Sequence, residues 1–188
     1  MDSVPPGDAL GALNNQEYAF QFGVNVGSEI GPYTINGRIQ GHFANQTPVD
    51  FQSYGFFIGT GDQDNYLKVT LASNGGAGGL EVVYEENGGG FGGVGAPVAT
   101  MYSDPALLTS TFIDVFLTID PAANTVQPKY SINGGTEQNL GGPIAIPASW
   151  INSVVSVGII STSRGSGGTY PKTYDFITIE RETITATG

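Results

Sequence analysis

Cysteine is absent from this 188-residue sequence. The chain therefore has no disulfide bonds, no thiolate-bound metal and no cysteine nucleophile. Export stays open, because large surface proteins without disulfides often use bound metal for stability. Histidine is nearly absent as well, since His42 is the only one. A serine-type relay or an imidazole zinc site would depend on this one residue, which lies in a predicted strand.

Basic residues are scarce: 6 Lys and Arg stand against 17 Asp and Glu, which gives a net charge of -11. Such a surface repels phosphate backbones and anionic lipids, so we expect no nucleic-acid partner. No apolar run approaches the roughly 20 residues that span a bilayer, so we expect no membrane insertion. The excess carboxylates favour either bound Ca²⁺ or simple solubility. Composition leaves both explanations open.

The length suits a single domain, and the 39% of apolar residues can build one core. Residues 1–12 begin with MDSVPPGDALG, whose Pro and Gly content is typical of a linker. We therefore predict a linker at 1–12 and one ligand-binding domain at 13–188. We expect this domain to be a monomer within a longer multidomain chain.

Short runs of β-branched and aromatic residues, separated by Gly, Asn and Pro, predict an all-β fold. The predicted strands are 18–26, 33–43, 53–60, 66–72, 80–86, 112–120, 129–132, 154–161 and 174–182. Asn-Gly pairs at 36–37, 74–75, 87–88 and 133–134 predict tight turns. Nine strands fit a two-sheet antiparallel β-sandwich. A short helical turn is expected at 106–111.

Residues 87–101 contain too many glycines for a regular strand and predict a long loop, which is either filler or a binding loop. The loop matches the spacing GxGxxG from Gly90 to Gly95. A nucleotide-binding turn would continue into a helix, whereas Ala96 and Pro97 follow here. We therefore expect no nucleotide. Phe91, in this loop, is a candidate for stacking on a sugar ring.

The segment GTGDQDNYLKV, at residues 59–69, places oxygen-bearing side chains close together in a turn. Asp62, Asp64 and Asn65 offer a dense supply of Ca²⁺ ligands. The loop is not an EF-hand, because Ser73 stands where a bidentate Glu is required. The alternative is an Asx-rich turn whose carboxylates accept hydrogen bonds from backbone amides.

A second cluster, STSRGSGG at 161–168, contains Arg164 and is followed by Tyr170 and by the strand that carries Asp175. A guanidinium in such a loop can hold a carboxylate or a sugar hydroxyl, or pair with a structural Asp. Glu81, Glu85 and Glu86 sit close together and could in principle hydrolyse a glycoside, but nothing there marks an acid set against a nucleophile. The residues themselves therefore predict no catalysis.

GTGDQDNYLKV at 59–69, YSINGG at 130–135 and SVGIISTSRG at 156–165, leading into YDFITIE at 174–180, resemble concanavalin A-like (laminin G-like) jelly-roll domains of large bacterial secreted proteins. Similar modules occur in calcium-dependent repeat adhesins, where they bind glycans or C-terminal peptides. The resemblance implies a jelly-roll sandwich, extracellular adhesion and Ca²⁺. Glucanases of this superfamily carry a Glu-x-Asp-x-x-Glu strand, and residues 81–86 lack the central Asp.

Together these observations predict a non-catalytic, Ca²⁺-dependent extracellular module that binds a glycan or a protein C-terminal peptide on another cell surface. The predicted metal ligands are Asp62, Asp64, Asn65 and Asp175. The predicted ligand-binding residues are Gln63, Asn65, Tyr66, Phe91, Arg164 and Tyr170. Two alternatives are a structural spacer in a surface protein and a glycoside-active enzyme.

Overall fold

The fold is described here from a computed structural model, which covers residues 7–10, 13–26, 30–40, 49–74, 77–88, 100–151, 154–163 and 172–181. In chain order the strands are β1 (Ala19–Asn25), β2 (Tyr33–Gln40), β3 (Ser53–Gly59), β4 (Tyr66–Asn74), β5 (Ala77–Glu85), β6 (Thr100–Tyr102), β7 (Phe112–Asp120), β8 (Thr125–Ile132), β9 (Gln138–Asn139), β10 (Ile144–Ala145), β11 (Val154–Thr162) and β12 (Thr173–Arg181). A short helix α1 (Pro105–Thr109) precedes β7, and a 3₁₀ turn (Ala148–Trp150) precedes β11.

Two antiparallel sheets form a sandwich, which confirms the predicted all-β fold. The first sheet has the order β1-β11-β3-β4-β5-β6, and the second has the order β10-β8-β7-β2-β12, with β9 paired to β8. The first strand lies in the first sheet and the last strand lies in the second. Within the first sheet, β11 pairs with β1 and β3, so strands that are far apart in sequence are neighbours. Among the described residues, no helix has the length and apolar character that crossing a membrane requires.

The core lies between the sheets and follows the two-residue period of each strand. Tyr54, Phe56 and Ile58 of β3 point inward and are almost fully buried. Ile35 and Ile39 of β2 do the same from the opposite sheet. Trp150 closes one part of this core, with its ring 5.4 Å from that of Tyr84. Trp150 is only 2% exposed and therefore belongs to the core.

The Asn-Gly pairs have different outcomes. Asn133 and Gly134 both have positive φ, as a tight turn requires, and the pair at 87–88 does too. The turn predicted at 36–37 is wrong, because both residues lie inside β2. A Cβ on Gly37 would lie 2.2 Å from the ring of Phe56, so close packing explains this glycine. The pair at 74–75 extends beyond the described residues.

Several strands differ from the prediction at their ends. β8 begins at Thr125 rather than at residue 129. Pro128 lies within the strand and does not interrupt it. The two- and three-residue strands β6, β9 and β10 were not predicted, because they are too short to show a periodic pattern. The predicted helical turn is present as α1, where Asp104 accepts a hydrogen bond from the amide of Ala106. Most of the glycine-rich loop lies outside the described residues.

A second, smaller cluster covers the outer face of the first sheet. Ala9 and Leu10 are buried there against Phe57, Val83 and Ile160. We call residues 7–10 the N-terminal strap. The strap belongs to the segment predicted as a linker, and its packing gives the first sheet a covered outer face. This cover forms one side of the candidate site.

Candidate functional site

A pocket of about 260 Å³ lies on the outer face of the first sheet, between the N-terminal segment and the β3–β4 turn. Its floor is apolar and consists of side chains that alternate outward from β3, β4 and β11: Phe57, Tyr66 and Ile160. Its walls are polar. The polar side chains that line it are Gln16, Glu17, Gln21, Asp62 and Gln63.

The β3–β4 turn is organised by Asp62. Its carboxylate accepts hydrogen bonds from the hydroxyl of Thr60 at 2.6 Å, from the backbone amide of Asp64 at 2.8 Å and from the side-chain amide of Asn65 at 3.2 Å. Burial raises the pKa of Asp62, but these hydrogen bonds outweigh it and leave the pKa below its ordinary value. The arrangement is the Asx-rich turn that the sequence offered as an alternative to a metal site. It presents an ionised carboxylate to the pocket.

Three hydrogen bonds fix this turn against the N-terminal segment. The side-chain amide of Asn14 donates to Asp64 Oδ1 at 2.6 Å. The backbone amide of Gln16 donates to Gln63 Oε1 at 2.9 Å. The side chain of Gln21 donates to the carbonyl of Gly61 at 3.1 Å. The two walls of the pocket are therefore held at a fixed separation.

Gln16 has one polar atom that the described chain does not satisfy. Its side-chain amide donates to the carbonyl oxygens of Tyr18 and Ser161. Its Oε1 is buried and accepts no hydrogen bond from any described residue. Leaving a buried acceptor unpaired typically costs ~1–3 kcal/mol, so a hydrogen bond donated to this oxygen would be favourable. A ligand hydroxyl in the pocket would supply one.

Charged groups are buried beside the floor. Tyr66 is only 2% exposed, and its hydroxyl donates to Glu85 Oε2 at 2.9 Å. Burial, together with the negative charge of Glu85, raises the pKa of Tyr66 far above its ordinary value. Lys68 Nζ lies 3.7 Å from Asp8 Oδ1, and both side chains are nearly inaccessible. Tyr66 therefore offers its ring to the pocket, while its hydroxyl is committed to Glu85.

The structure brings some of the predicted site residues together. Asp62, Gln63 and Tyr66 all line the pocket. Asp64 and Asn65 belong to the same turn, but Asp64 binds Asn14, and Asn65 Oδ1 accepts from the backbone amide of Asn87. Phe91, Arg164 and Tyr170 lie outside the described residues.

Asp175, the fourth predicted metal ligand, is in a different place. It lies on β12 in the second sheet, close enough to Arg38 to contribute to raising the pKa of that guanidinium, and the largest cause of this rise is the hydrogen bond that Arg38 donates to Asp114. Within the described ranges, no group of three or more acidic or histidine side chains is arranged to hold a metal ion. At the β3–β4 turn, the carboxylates of Asp62 and Asp64 accept hydrogen bonds from Thr60, Asp64 and Asn14. Bound Ca²⁺ stays a prediction.

Sequence reasoning missed Gln16, Glu17 and Gln21, which form a whole wall of the pocket. Gln21 carried a weak signal, because it alternates with the inward residues of a predicted strand. Gln16 and Glu17 carried none. Their role depends on the N-terminal segment passing beside the β3–β4 turn, about 45 positions later in the chain, which no local pattern shows.

No protein-family model matches this sequence, and no curated protein matches it. Solved structures share its fold. The GH43 protein BlXynB of Bacillus licheniformis has a TM-score of 0.59 at 13% identity, over 86% of this chain and 33% of that one. A GH131 β-glucanase catalytic domain from Podospora anserina has 0.51 at 14%, over 94% and 71%. Lectin I-B4 from Griffonia simplicifolia, in its metal-free form, has 0.53 at 10%, over 95% and 92%.

At these identities the likeness concerns the fold. The sandwich is one that a lectin and glycoside hydrolases share, and in this respect the resemblance to concanavalin A-like domains is supported. This chain spans about a third of the GH43 protein that it matches. The finer assignment, to bacterial secreted proteins or calcium-dependent adhesins, stays a prediction.

The prediction that this chain is not an enzyme is wrong. It depended on the missing Glu-x-Asp-x-x-Glu strand, yet proteins with the same sandwich include a GH43 glycoside hydrolase and a GH131 catalytic domain. The absence of one motif therefore does not exclude catalysis by carboxylates placed elsewhere on the fold.

Proposed function

We propose that this chain is a carbohydrate-handling β-sandwich domain that binds a neutral saccharide in the pocket beside the β3–β4 turn. Saccharides need hydrogen bonds to their hydroxyls and an apolar surface for the ring face. Gln16, Gln21 and Gln63 line the pocket with polar side chains, and the small accessible parts of Phe57 and Tyr66, which are 5% and 2% exposed, supply an apolar floor. The unpaired Oε1 of Gln16 carries the proposal, because a sugar hydroxyl is the donor that it lacks.

Charge favours a neutral sugar over an acidic one. Glu17 and Asp62 both line the pocket, and the chain has a net charge of -11. An anionic glycan would meet repulsion on approach and at the site. The pocket, at about 260 Å³, is slightly below the ~300–1,000 Å³ typical of ligand pockets, which suits a short saccharide segment.

A second candidate function is glycoside hydrolysis, which the pairing of Glu17 with Asp62 in one pocket favours. Hydrolysis of a glycosidic bond uses two carboxyl groups, one as acid and one as base or nucleophile. The lowered pKa of Asp62 suits the base or nucleophile. Glu17 would protonate the leaving oxygen as the glycosidic C–O bond breaks, while water adds to the anomeric carbon and its proton passes to Asp62; proton exchange with solvent then restores both carboxyl groups.

The carboxylates of β5 suit this role less well. Glu81 and Glu85 point to the same face of one strand, four residues apart. This spacing separates their Cα atoms by about 13 Å. Known glycosidase pairs stand about 5–9.5 Å apart. Glu17 and Asp62 instead line one pocket, and this shared position makes them the candidate pair.

The proposed domain would act as one part of a longer extracellular, glycoside-active protein. The support is its length, which is about a third of the GH43 protein with the same fold. Attachment to glycans on another cell surface would use the same pocket. A C-terminal peptide is the competing ligand, and the binding experiment below includes it.

Calorimetric titration with neutral oligosaccharides, such as cellohexaose and xylohexaose, tests the binding proposal. We expect Gln21→Ala and Gln63→Ala each to weaken binding about fivefold to tenfold, as the loss of one hydrogen bond predicts. Asn25→Ala, on the outward face of the same strand as Gln21 but outside the pocket, is the matched control. Binding of peptides but not of saccharides would overturn the proposal.

Turnover is tested separately with the same oligosaccharides and a reducing-end assay. If the second candidate is right, Asp62→Asn and Glu17→Gln abolish hydrolysis, whereas both variants keep the folded circular dichroism spectrum. Hydrolysis that survives both substitutions would place the catalytic carboxylates elsewhere.

Calcium is tested by thermal unfolding in EDTA and in millimolar Ca²⁺. A native-state site that includes the β3–β4 turn predicts a rise in the midpoint, because an ion that binds only the folded chain stabilises it by mass action. The rise should disappear in the variant Asp62→Asn/Asp64→Asn. An unchanged midpoint in the parent protein would leave Asp62 and Asp64 with the turn-forming role that their hydrogen bonds already show.

A further inference from the structure

A second groove, of about 280 Å³, lies on the opposite side of the molecule, on the outer face of the second sheet. Four neighbouring strands contribute to it. Asn36 on β2, Phe116 on β7 and Lys129 on β8 are directly opposite one another in the ladder and form one row across the sheet. Thr34 and Thr118 form the next row. At ordinary strand spacing the patch measures about 7 by 14 Å.

One polar atom in this row has no partner. Asn36 Oδ1 is buried and accepts no hydrogen bond from the described residues. Its neighbours do not need it, since Thr34 and Thr118 bind each other through their hydroxyls at 2.9 Å. An unpaired buried carbonyl is unfavourable, and a native structure retains it where something else supplies a donor. Asn36 lines the groove, so its side chain lies beside the space that a ligand would occupy.

The groove is lined by two cationic and two anionic side chains. Lys129 Nζ lies 3.3 Å from Glu137 Oε2, and both side chains are partly exposed. Arg181 and Glu180 add a second cation and a second anion at the other end. The local charge is therefore balanced in a chain whose net charge is -11. Such a set matches sugar hydroxyls, each of which both donates and accepts, better than it matches a charged ligand.

The half-buried ring of Phe116 gives the groove an apolar floor between these polar groups. The backbone of β2 and β7 is already paired on both sides, with β12, β7, β2 and β8 as neighbours. A peptide therefore cannot add to this face as an extra strand, because strand addition needs a free sheet edge. The side chains alone must recognise the ligand.

We propose that this groove is a second saccharide-binding site, for a neutral oligosaccharide whose hydroxyls engage Asn36, Lys129 and Glu137 and whose ring lies on Phe116. Its ligand class follows the proposed carbohydrate-handling function, and the site itself is independent of the first pocket. Two sites on opposite faces make the domain bivalent toward a polysaccharide.

The experiment compares the parent protein with Asn36→Leu and Lys129→Met by calorimetric titration with cellohexaose, xylohexaose and mannohexaose. We expect two sites in the parent, and a loss of at least tenfold in affinity at one of them in each variant. Gln40→Leu, on the same face of β2 but outside the groove, is the control and should bind as the parent does.

Stability provides a readout that a purely structural Asn36 would not give. Replacing an unpaired amide by an apolar side chain of similar shape should leave the unfolding midpoint equal to the parent's or higher, while binding falls. A lower midpoint with unchanged binding would overturn the proposal.

The pattern of losses separates the two sites. One site that responds only to Gln21→Ala and Gln63→Ala overturns the second site and leaves the first. If a single binding site is measured and only Asn36→Leu weakens it, the result supports saccharide binding in the groove and overturns binding in the first pocket. Binding of an acidic or basic peptide in the groove, with no saccharide bound, would overturn the assignment, as would an absence of binding to all three oligosaccharides.

Discussion

At the scale of single residues, Lys172 is the least favourably placed cation of the described chain. It is only 6% exposed, and its ammonium lies 4.1 Å from the centroid of the Tyr54 ring. The ring offers some compensation, but burial still lowers the pKa of Lys172 to about 8. The native state therefore holds the charged form at a disadvantage relative to the unfolded chain.

This disadvantage predicts a pH dependence of stability. Below pH 8 the lysine is charged in both states, and the full cost is present. As the pH rises above about 8, the native lysine loses its proton while the unfolded one keeps it up to about pH 10.4, so the cost decreases. We expect Lys172→Met to raise the free energy of unfolding by roughly 1–3 kcal/mol at pH 7, because burial disfavours the charged lysine in the native state.

Denaturant unfolding of both proteins between pH 7 and about 9.5 checks this prediction. Unfolded tyrosines begin to ionise in the upper part of this range, but they do so in both proteins, so the difference between the two curves reports on Lys172. The advantage of the variant should narrow steadily above pH 8. Parallel curves for the two proteins would contradict the assigned cause.

At the scale of elements, the central strands of the two sheets touch through Gly37 of β2 and Phe56 of β3. A Cβ at position 37 would lie 2.2 to 2.7 Å from three carbons of the Phe56 ring. The ring also packs edge-on against Tyr174 of β12, at 5.6 Å between centroids, so it has little room to retreat. The approach of the sheets at this point thus depends on a missing side chain.

We therefore expect Gly37→Ala to destabilise the fold by about 1–3 kcal/mol through overpacking. Gly142→Ala is the control, because a Cβ there meets nothing within 4 Å. In the double variant Gly37→Ala/Phe56→Leu, the smaller side chain should recover part of the loss relative to the sum of the single variants. Unfolding midpoints in urea measure all four proteins, and strictly additive losses would argue against this contact.

The same glycine shows what the sequence could and could not predict. The runs of β-branched and aromatic residues predicted the strands β7 and β12, because such side chains pack well on a half-buried sheet face. Asn36-Gly37 has the composition of a turn, and only the proximity of Phe56 from the other sheet reveals why it lies within a strand. For a similar reason, the sequence predicted only one wall of the candidate pocket. The β3–β4 turn is local in sequence, whereas Gln16 reaches it through tertiary packing.

At the scale of the whole molecule, the two outer faces are built differently. The second sheet exposes a polar groove around Asn36 and Lys129. On the first sheet, the N-terminal strap covers the outer face and holds a buried ion pair, Asp8 with Lys68. The strap thus forms a third layer, on the side of the first sheet that faces away from the second sheet. It also supplies Ala9 to the wall of the pocket.

The Asp8–Lys68 pair tests whether the strap is an integral layer of the fold. Breaking a buried pair leaves one uncompensated charge and typically costs ~3–5 kcal/mol, whereas replacing both partners can be nearly neutral. We expect Asp8→Asn to cost several kcal/mol by leaving Lys68 buried alone, and Asp8→Asn/Lys68→Met to be more stable than this single variant. Lys129→Met, which breaks the partly exposed pair with Glu137, should cost under ~1 kcal/mol. Urea unfolding measures each. If Asp8→Asn costs no more than Lys129→Met, the strap adds little to the stability of the sandwich, and the pocket wall that it forms would open at small cost.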